Sequence, residues 1–187
     1  TVIIADYRGF DTLGETVVVF AAGLVCLFLL RRAPALKNSD FLRRKDSVIV
    51  DVVTRTMAPV IQIFGLYVIF HGHYGPGGGF QGGALLAGSI LLQRVALGDK
   101  RSQSGFPRHL GTPFGVAGLL IFSGMGIATL LAGGNYLQYD QIPLGLKADM
   151  LRNWGILVAE IGVAFAITGT LVSIFDDLSN PGTEEEQ

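Results

Sequence analysis

Residues 71–83 read HGHYGPGGGFQGG, and seven of these thirteen residues are glycine. An apolar run stands on each side of them: residues 57–70 read MAPVIQIFGLYVIF, and residues 84–92 read ALLAGSILL. Because glycine has no Cβ, its backbone can adopt positive φ and approach another segment closely. We therefore expect a sharp, tightly packed turn between two membrane helices, and we call residues 71–83 the glycine segment.

The composition is typical of a membrane protein. Of the 187 residues, 50% are hydrophobic and only 16% are charged, and the mean hydropathy is +0.49. Soluble domains are about 25% charged. The formal net charge of −1 does not indicate a nucleic-acid partner. The single cysteine, Cys26, excludes an internal disulfide, and residues 1–10 lack the basic region and apolar core of a signal peptide.

Five stretches are long and apolar enough to cross a membrane, which takes about 20 residues in a helix. They are approximately residues 13–30, 52–71, 79–97, 113–133 and 153–175. The expected fold class is all-α, a polytopic bundle of about five transmembrane helices. An alternative with four spans would place the first stretch in the membrane interface, but VVVFAAGLVCLFLL has no polar face.

Lysine and arginine are distributed unevenly between the connections. Seven lie in residues 31–56 and four in residues 94–112, whereas three fall on the other side of a five-span topology. The positive-inside rule then predicts an outer N-terminus and a cytoplasmic C-terminus in a multi-pass protein of the cell membrane. The glycine segment is expected on the outer side, with Tyr136, Tyr139 and Trp154 at the outer interface.

The chain is expected to divide into three parts. A single-helix module covers residues 1–35, a four-helix membrane module covers residues 46–178, and residues 179–187 form a polar tail. The basic stretch from 31 to 50 is the candidate linker between the two modules. In the fifth span, small residues at steps of four and three predict a close helix contact. They are Gly155, Ala159, Gly162, Ala166, Gly169 and Ser173.

The first candidate site is an acidic cluster before the first span. If this part of the chain is helical, Arg8, Asp11 and Glu15 share one face. A carboxylate at a membrane edge, beside an arginine and a second carboxylate, could transfer protons or bind Na⁺ through oxygen ligands. Alternatively, Thr12 and Glu15 form a capping box whose only task is to start the helix.

Two further candidates involve later spans. Glu160 is the one carboxylate inside the fifth span, about 10 Å from its outer end at 1.5 Å per residue. A charge there costs several kcal/mol unless it is paired or hydrated, so Glu160 indicates either an ion pathway or a hydrogen bond that fixes a helix contact. Asp51 and Arg55, four residues apart, are expected to form an ion pair at the end of the second span.

The glycine segment predicts neither a metal site nor a nucleotide site. His71 and His73 point in different directions on a helix, whereas zinc needs three or four ligands. A hydrogen bond that anchors the segment is expected, with a proton relay as the alternative. Residues 77–82 match G-x-G-x-x-G, but they join two membrane helices, and there is no P-loop lysine. We therefore expect no metal and no cofactor.

Residues 46–178 resemble the MrpB (MnhB) subunit of the multisubunit Mrp sodium/proton antiporter. The resemblance rests on Gly72-His73 followed by Pro76-Gly77-Gly78-Gly79-Phe80-Gln81-Gly82-Gly83. The stretch Glu160-Ile161-Gly162-Val163 is also similar to the acid-Ile-Gly-Val of that family's last helix. The resemblance implies that Pro76 and Phe80 matter for antiport. We expect them to shape a helix contact, with the acids that carry charge lying elsewhere.

The first module resembles a different family member. Its motif is Asp6-x-Arg8-Gly9-Phe10-Asp11-Thr12-Leu13-Gly14-Glu15, which is similar to the C-terminal region of the MrpA subunit and to the MbhE subunit of membrane-bound hydrogenases. The resemblance implies a role in ion transport for Glu15, with Arg8 and Asp11 beside it. The chain is thus similar to the tail of an MrpA or MbhE module joined to MrpB. A neighbouring subunit is expected to supply the helix that precedes this motif in the family.

Together the resemblances imply a non-redox membrane subunit of a cation/proton antiporter module, with no redox or hydrolytic chemistry of its own. The implied ions are Na⁺ and H⁺, and the implied partners are MrpA-, MrpC-, MrpD- and MrpE/F/G-like subunits and membrane lipid. Two alternatives stay open. One is the same module in an ion-pumping respiratory complex such as a membrane-bound hydrogenase, with hydrogenase-type subunits as partners. The other is a purely structural scaffold whose acids only fix helix contacts.

Overall fold

The structure, a computed structural model, describes residues 9–31, 47–72, 77–97, 102, 105–141 and 147–179. This part of the chain forms helices and turns and contains no β-strand. Five helices are long and apolar enough to span a membrane, and the predicted all-α bundle is confirmed. They are α1 Gly9–Arg31, α2 Val48–His71, α3 Gly79–Leu97, α4 Gly111–Leu131 and α5 Ala148–Ser179.

Helix α5 is the element on which the others pack. In its most apolar window 72% of the residues are buried, against 17% to 33% in the other four helices. Helices α4, α3 and α1 contact α5, whereas α2 packs mainly on α3. All six small residues predicted to form a contact stripe are buried. A Cβ on Gly162 would lie 2.9 Å from the carbonyl oxygen of Gly118, so the backbones of α4 and α5 touch where side chains are absent.

Helices that follow one another in the chain alternate in direction. Helix α3 runs parallel to α5, while α2 runs opposite to α3 and α4 runs opposite to α5. Between α3 and α5, Gly79 contacts Glu160, Gly83 contacts Ala164 and Arg94 contacts Asp176. Between α2 and α3, Gly65 contacts Leu86 and Gly82 contacts Ile69. Between α4 and α5, Gly111 contacts Ser173 and Gly118 contacts Ala166. This is the arrangement of a chain that crosses a membrane up and down through consecutive spans.

Residues 132–141, which follow α4, pack back onto the bundle. Tyr139, in a 3-10 turn Tyr139–Gln141, is 1% exposed and packs on Gly155. The expectation that Tyr139 lies in an interfacial belt is therefore wrong, because the missing side chain at Gly155 leaves space that the ring fills. Leu137 adopts φ of 63°, and its backbone N–H donates to Thr129 Oγ1 at 2.9 Å.

Candidate functional site at the start of α3

The glycine segment and Glu160 form one site, although 81 residues separate Gly79 from Glu160. Gly78 has φ of 148°, a conformation that favours glycine, and α3 begins at the next residue. The first N–H groups of a helix have no partner within that helix. Here the backbone N–H of Gly79 donates to Oε2 of Glu160 on α5. The carboxylate therefore caps α3 from a different helix.

Glycine is required where α3 meets α5. A Cβ on Gly79 would lie 2.9 Å from the Cβ of Val163, and closer still to the backbone of Glu160. One turn later, a Cβ on Gly83 would lie 2.7 Å from the carbonyl oxygen of Ala164. The hydroxyl of Thr168 donates to the carbonyl oxygen of Gly83 at 3.0 Å. The first turns of α3 thus lie directly on the α5 backbone, and this contact holds Glu160 at the helix end.

The surroundings of Glu160 affect a negative charge on it in two opposite ways. The residue is only 7% exposed, and its neighbours on α5 include the buried residues Ala159 and Val163. Burial in such surroundings penalises a charge. The N–H of Gly79 and the positive end of the α3 dipole offset part of that penalty. Glu160 is therefore a buried carboxyl group that accepts a hydrogen bond from the start of another helix.

Two expectations about Glu160 change. Helix α5 begins at Ala148, so Glu160 lies twelve residues along it, roughly 18 Å rather than about 10 Å from its start. The expectation that the acids lie away from the glycine segment is also wrong for Glu160, since Gly79 binds it directly. The spacing of residues along the sequence does not predict the position along α5 at which the start of α3 packs.

The acids of α1 occupy different surroundings. Asp11 and Glu15 are one turn apart on α1, and both are exposed. Arg8 lies outside the described residues. The capping-box alternative is wrong, because the helix already includes Gly9 and Thr12 lies inside it. Glu15 is on the outer surface of the bundle, whereas Glu160 is between α3 and α5, so these two acids do not share a pocket.

The remaining candidates are spread along the chain. His71 ends α2 and stacks on Tyr67 with ring centroids 5.0 Å apart. His73 and Pro76 lie outside the described residues. Phe80, in the first turn of α3, is 42% exposed and faces away from the bundle core. Among the described residues, no group of three or more metal-ligating side chains comes together.

Asp51 and Arg55 lie in the first two turns of α2, and their ion pair stays a prediction. Asp51 is half-buried, and Arg55 is exposed at the wall of a cavity.

A buried ion pair was missed by sequence reasoning. Arg94 Nη2 lies 2.9 Å from Asp176 Oδ2, and both side chains are at most 4% exposed. The same guanidinium donates to Ser102 Oγ at 3.1 Å and to the carbonyl oxygen of Phe106 at 2.8 Å. The sequence pattern places Arg94 among the cations of residues 94–112 and does not indicate a partner for it. The available signal was an arginine near the end of the third span and two aspartates, Asp176 and Asp177, near the end of the fifth, since both spans cross in the same direction.

Three comparisons agree with this architecture. Residues 49–173 match the family described as a domain related to the MnhB subunit of Na⁺/H⁺ antiporters. An Na⁺/H⁺ antiporter subunit of Alkalihalophilus pseudofirmus, of the B type, is 31% identical over 143 residues, which are 72% of this chain and 97% of that protein.

Two solved structures have the same fold. An Mrp complex from Dietzia sp. matches 99% of this chain with a TM-score of 0.71 and 25% identity, over 21% of its own chain. A membrane-bound sulfane sulfur reductase, an archaeal respiratory complex, matches 95% of this chain with a TM-score of 0.74 and 25% identity, over 76% of its chain. The chain thus spans about a fifth of the first structure's chain. The family match covers two thirds of this chain, and the relative from Alkalihalophilus pseudofirmus is aligned over nearly the whole of the relative's length. This multi-pass membrane protein therefore belongs to the family of domains related to the MnhB subunit of Na⁺/H⁺ antiporters.

Proposed function

We propose that this chain is a non-redox membrane subunit of a multisubunit sodium/proton antiporter and that it contributes Glu160 to the ion pathway. The observation that carries the proposal is the hydrogen bond from Gly79 to Glu160. It joins the glycine segment, on which the family resemblance rests, to a buried carboxylate in the middle of a spanning helix. An ionisable group at that depth is costly, and such groups are characteristic of ion and proton pathways.

The chemistry of the site fits a proton or a monovalent cation. One carboxylate oxygen of Glu160 accepts the Gly79 N–H, and the carboxylate has further lone pairs for another donor or ligand. Protonation removes the charge, while Na⁺ binds oxygen ligands of this kind. Exchange of these two occupants at one carboxylate is the elementary step of an antiporter.

Helix α1 is the proposed contact to a neighbouring subunit. Asp11 and Glu15 are exposed on a helix that also exposes Val18 and Phe28 to its surroundings. A carboxylate facing hydrocarbon costs several kcal/mol, so this face is better matched by polypeptide than by lipid. We assign the neighbouring subunits to the MrpA-, MrpC-, MrpD- and MrpE/F/G-like classes. In this proposal the chain lies in the cell membrane with an outer N-terminus. Glu15, Asp11 and Arg8 serve the same ion path as Glu160.

Sodium-dependent growth and antiport in everted vesicles test the proposal. A host without its own antiporter would carry the whole complex with either wild-type Glu160 or Glu160→Gln. Glutamine keeps an oxygen that accepts the Gly79 N–H but cannot ionise. We expect normal assembly and at least a tenfold loss of antiport, as for removal of a group that carries the transported charge. Wild-type antiport in Glu160→Gln would instead favour the scaffold role, in which the acid only fixes a helix contact.

A second candidate function places the same subunit in a redox-driven complex. The match to the sulfane sulfur reductase complex, with its TM-score of 0.74, is the observation that favours it. Mass spectrometry of the complex purified through this chain distinguishes the two. Co-purifying iron–sulfur subunits would support the respiratory assignment, and a set of antiporter-type subunits alone would support the stand-alone antiporter.

A further inference from the structure

A cavity of about 690 Å³ opens between α2 and α3, at the end of the bundle where α2 begins. Its polar wall includes Arg55, Gln62, Gln93 and Ser102, and its apolar wall includes Ile90 and Phe106. This volume is within the range of about 300–1,000 Å³ that is usual for small-molecule sites. The proposed ion path through Glu160 does not use this cavity.

The polar wall selects an anion. Arg55 is the one charged residue among the described residues that line the cavity. The ion pair predicted with Asp51 would use only part of its five N–H donors, and the amides of Gln62 and Gln93 supply further donors. Arg94 lies behind the wall, where it donates to Ser102 Oγ and to the carbonyl oxygen of Phe106, but Asp176 neutralises its charge. A single guanidinium with neighbouring amide donors fits a phosphate group and disfavours Na⁺.

The rest of the wall selects an amphiphile rather than a free ion. The apolar residues Ala58, Pro59, Ile90 and Leu97 also line the cavity, and a phosphate ion alone would leave their surfaces uncovered. Met57 and Val60, which flank the lining residues Ala58 and Pro59 on α2, are exposed apolar side chains. Arg55 is seven residues from the start of α2, about 10 Å along the helix, and from there its long side chain can extend toward the headgroups.

We propose that this cavity binds the phosphate headgroup of an anionic membrane phospholipid. Arg55 forms the charge-assisted hydrogen bonds to the phosphate, and Gln93 and Gln62 donate to its remaining oxygens. The glycerol and upper acyl carbons pack on Ile90 and Leu97. Basic pockets between membrane helices are known to hold acidic headgroups in this way.

Native mass spectrometry of the intact purified complex tests the site. The complex would be exchanged into detergent with dioleoylphosphatidylglycerol, dioleoylphosphatidylcholine or inorganic phosphate. We expect phosphatidylglycerol to be retained preferentially, about tenfold less of it in Arg55→Gln, and an intermediate amount in Arg55→Lys, because lysine lacks the planar fork. Lys147→Gln is the control. It removes an exposed cation that is not among the residues lining the cavity, so retention of phosphatidylglycerol should be unchanged.

A second variant and a density map keep the test decisive. Gln93→Leu preserves side-chain volume and should lower retention less than Arg55→Gln does, without altering assembly. A density map of the complex should show headgroup density against Arg55. Equal retention in Arg55→Gln and wild type, displacement of the lipid by inorganic phosphate, or a neighbouring subunit's polypeptide filling the cavity would each overturn the proposal.

Discussion

The backbone N–H of Gly79, the first residue of α3, donates to the carboxylate of Glu160 in the middle of α5. The bond closes a helix end that is buried within the bundle. It also explains why a glycine-rich stretch and an acid near the other end of the chain belong to one structural unit. A change at either residue should therefore be detected at the other.

The capping role of Glu160 can be separated from any role in transport. Glu160→Leu removes the acceptor of the Gly79 N–H and should cost about 1–3 kcal/mol of stability, the usual cost of a buried unsatisfied donor. Glu160→Gln keeps an oxygen acceptor and should cost less than about 1 kcal/mol. Thermal unfolding of the purified complex measures both. Equal destabilisation by the two variants would mean that the cap contributes little.

The contact between α3 and α5 depends on the absence of a side chain at Gly83. In Gly83→Ala the new methyl group would meet the Ala164 backbone and force the helices apart, at a cost of about 1–3 kcal/mol. Gly88→Ala, on the same helix, is the matched control, because a Cβ there has nothing within 4 Å. Alanine's higher helix propensity should leave that variant neutral or slightly more stable. Similar melting temperatures for the two variants would contradict the packing described.

The Arg94–Asp176 pair should behave as a buried ion pair. Asp176→Leu or Arg94→Met alone leaves the partner's charge buried without its counterion and should cost about 3–5 kcal/mol. The double replacement should cost less than either single one, because it buries no unpaired charge. Unfolding of the four proteins of this cycle gives the coupling energy. Additive effects would show that the two charges act independently.

Glu15 should matter for transport but not for the stability of the bundle. It is exposed, so Glu15→Gln should change the melting temperature little. If Glu15 serves the ion path at a subunit contact, vesicle antiport should fall at least tenfold. Asp149→Asn, at an exposed carboxylate in the first turn of α5, is the control and should leave antiport unchanged. A normal rate in Glu15→Gln would remove Glu15 from the path.

Local patterns predicted the helices well and the contacts between them only in part. The apolar runs gave all five spans, and the steps of four and three from Gly155 to Ser173 predicted the buried face of α5. The pairing of Gly79 with Glu160 depends on the level at which α3 docks, which is decided by contacts between residues 81 positions apart. The prediction that Tyr139 lies in an interfacial belt was wrong, because an aromatic residue near the end of a span can also fill the space left by a glycine, here Gly155.

Because Glu160 lies away from both ends of α5, we expect its carboxyl group to lie within the membrane's electric field. It is twelve residues from one end of α5 and nineteen from the other, roughly 18 Å and 28 Å along the helix. A full elementary charge that crosses the membrane couples to about 2.3 kcal/mol per 100 mV. A proton or Na⁺ that reaches Glu160 from one side crosses only part of that potential. Occupancy of Glu160 by a proton or Na⁺ should therefore change when a membrane potential is imposed, so that the buried start of α3 would respond to that potential.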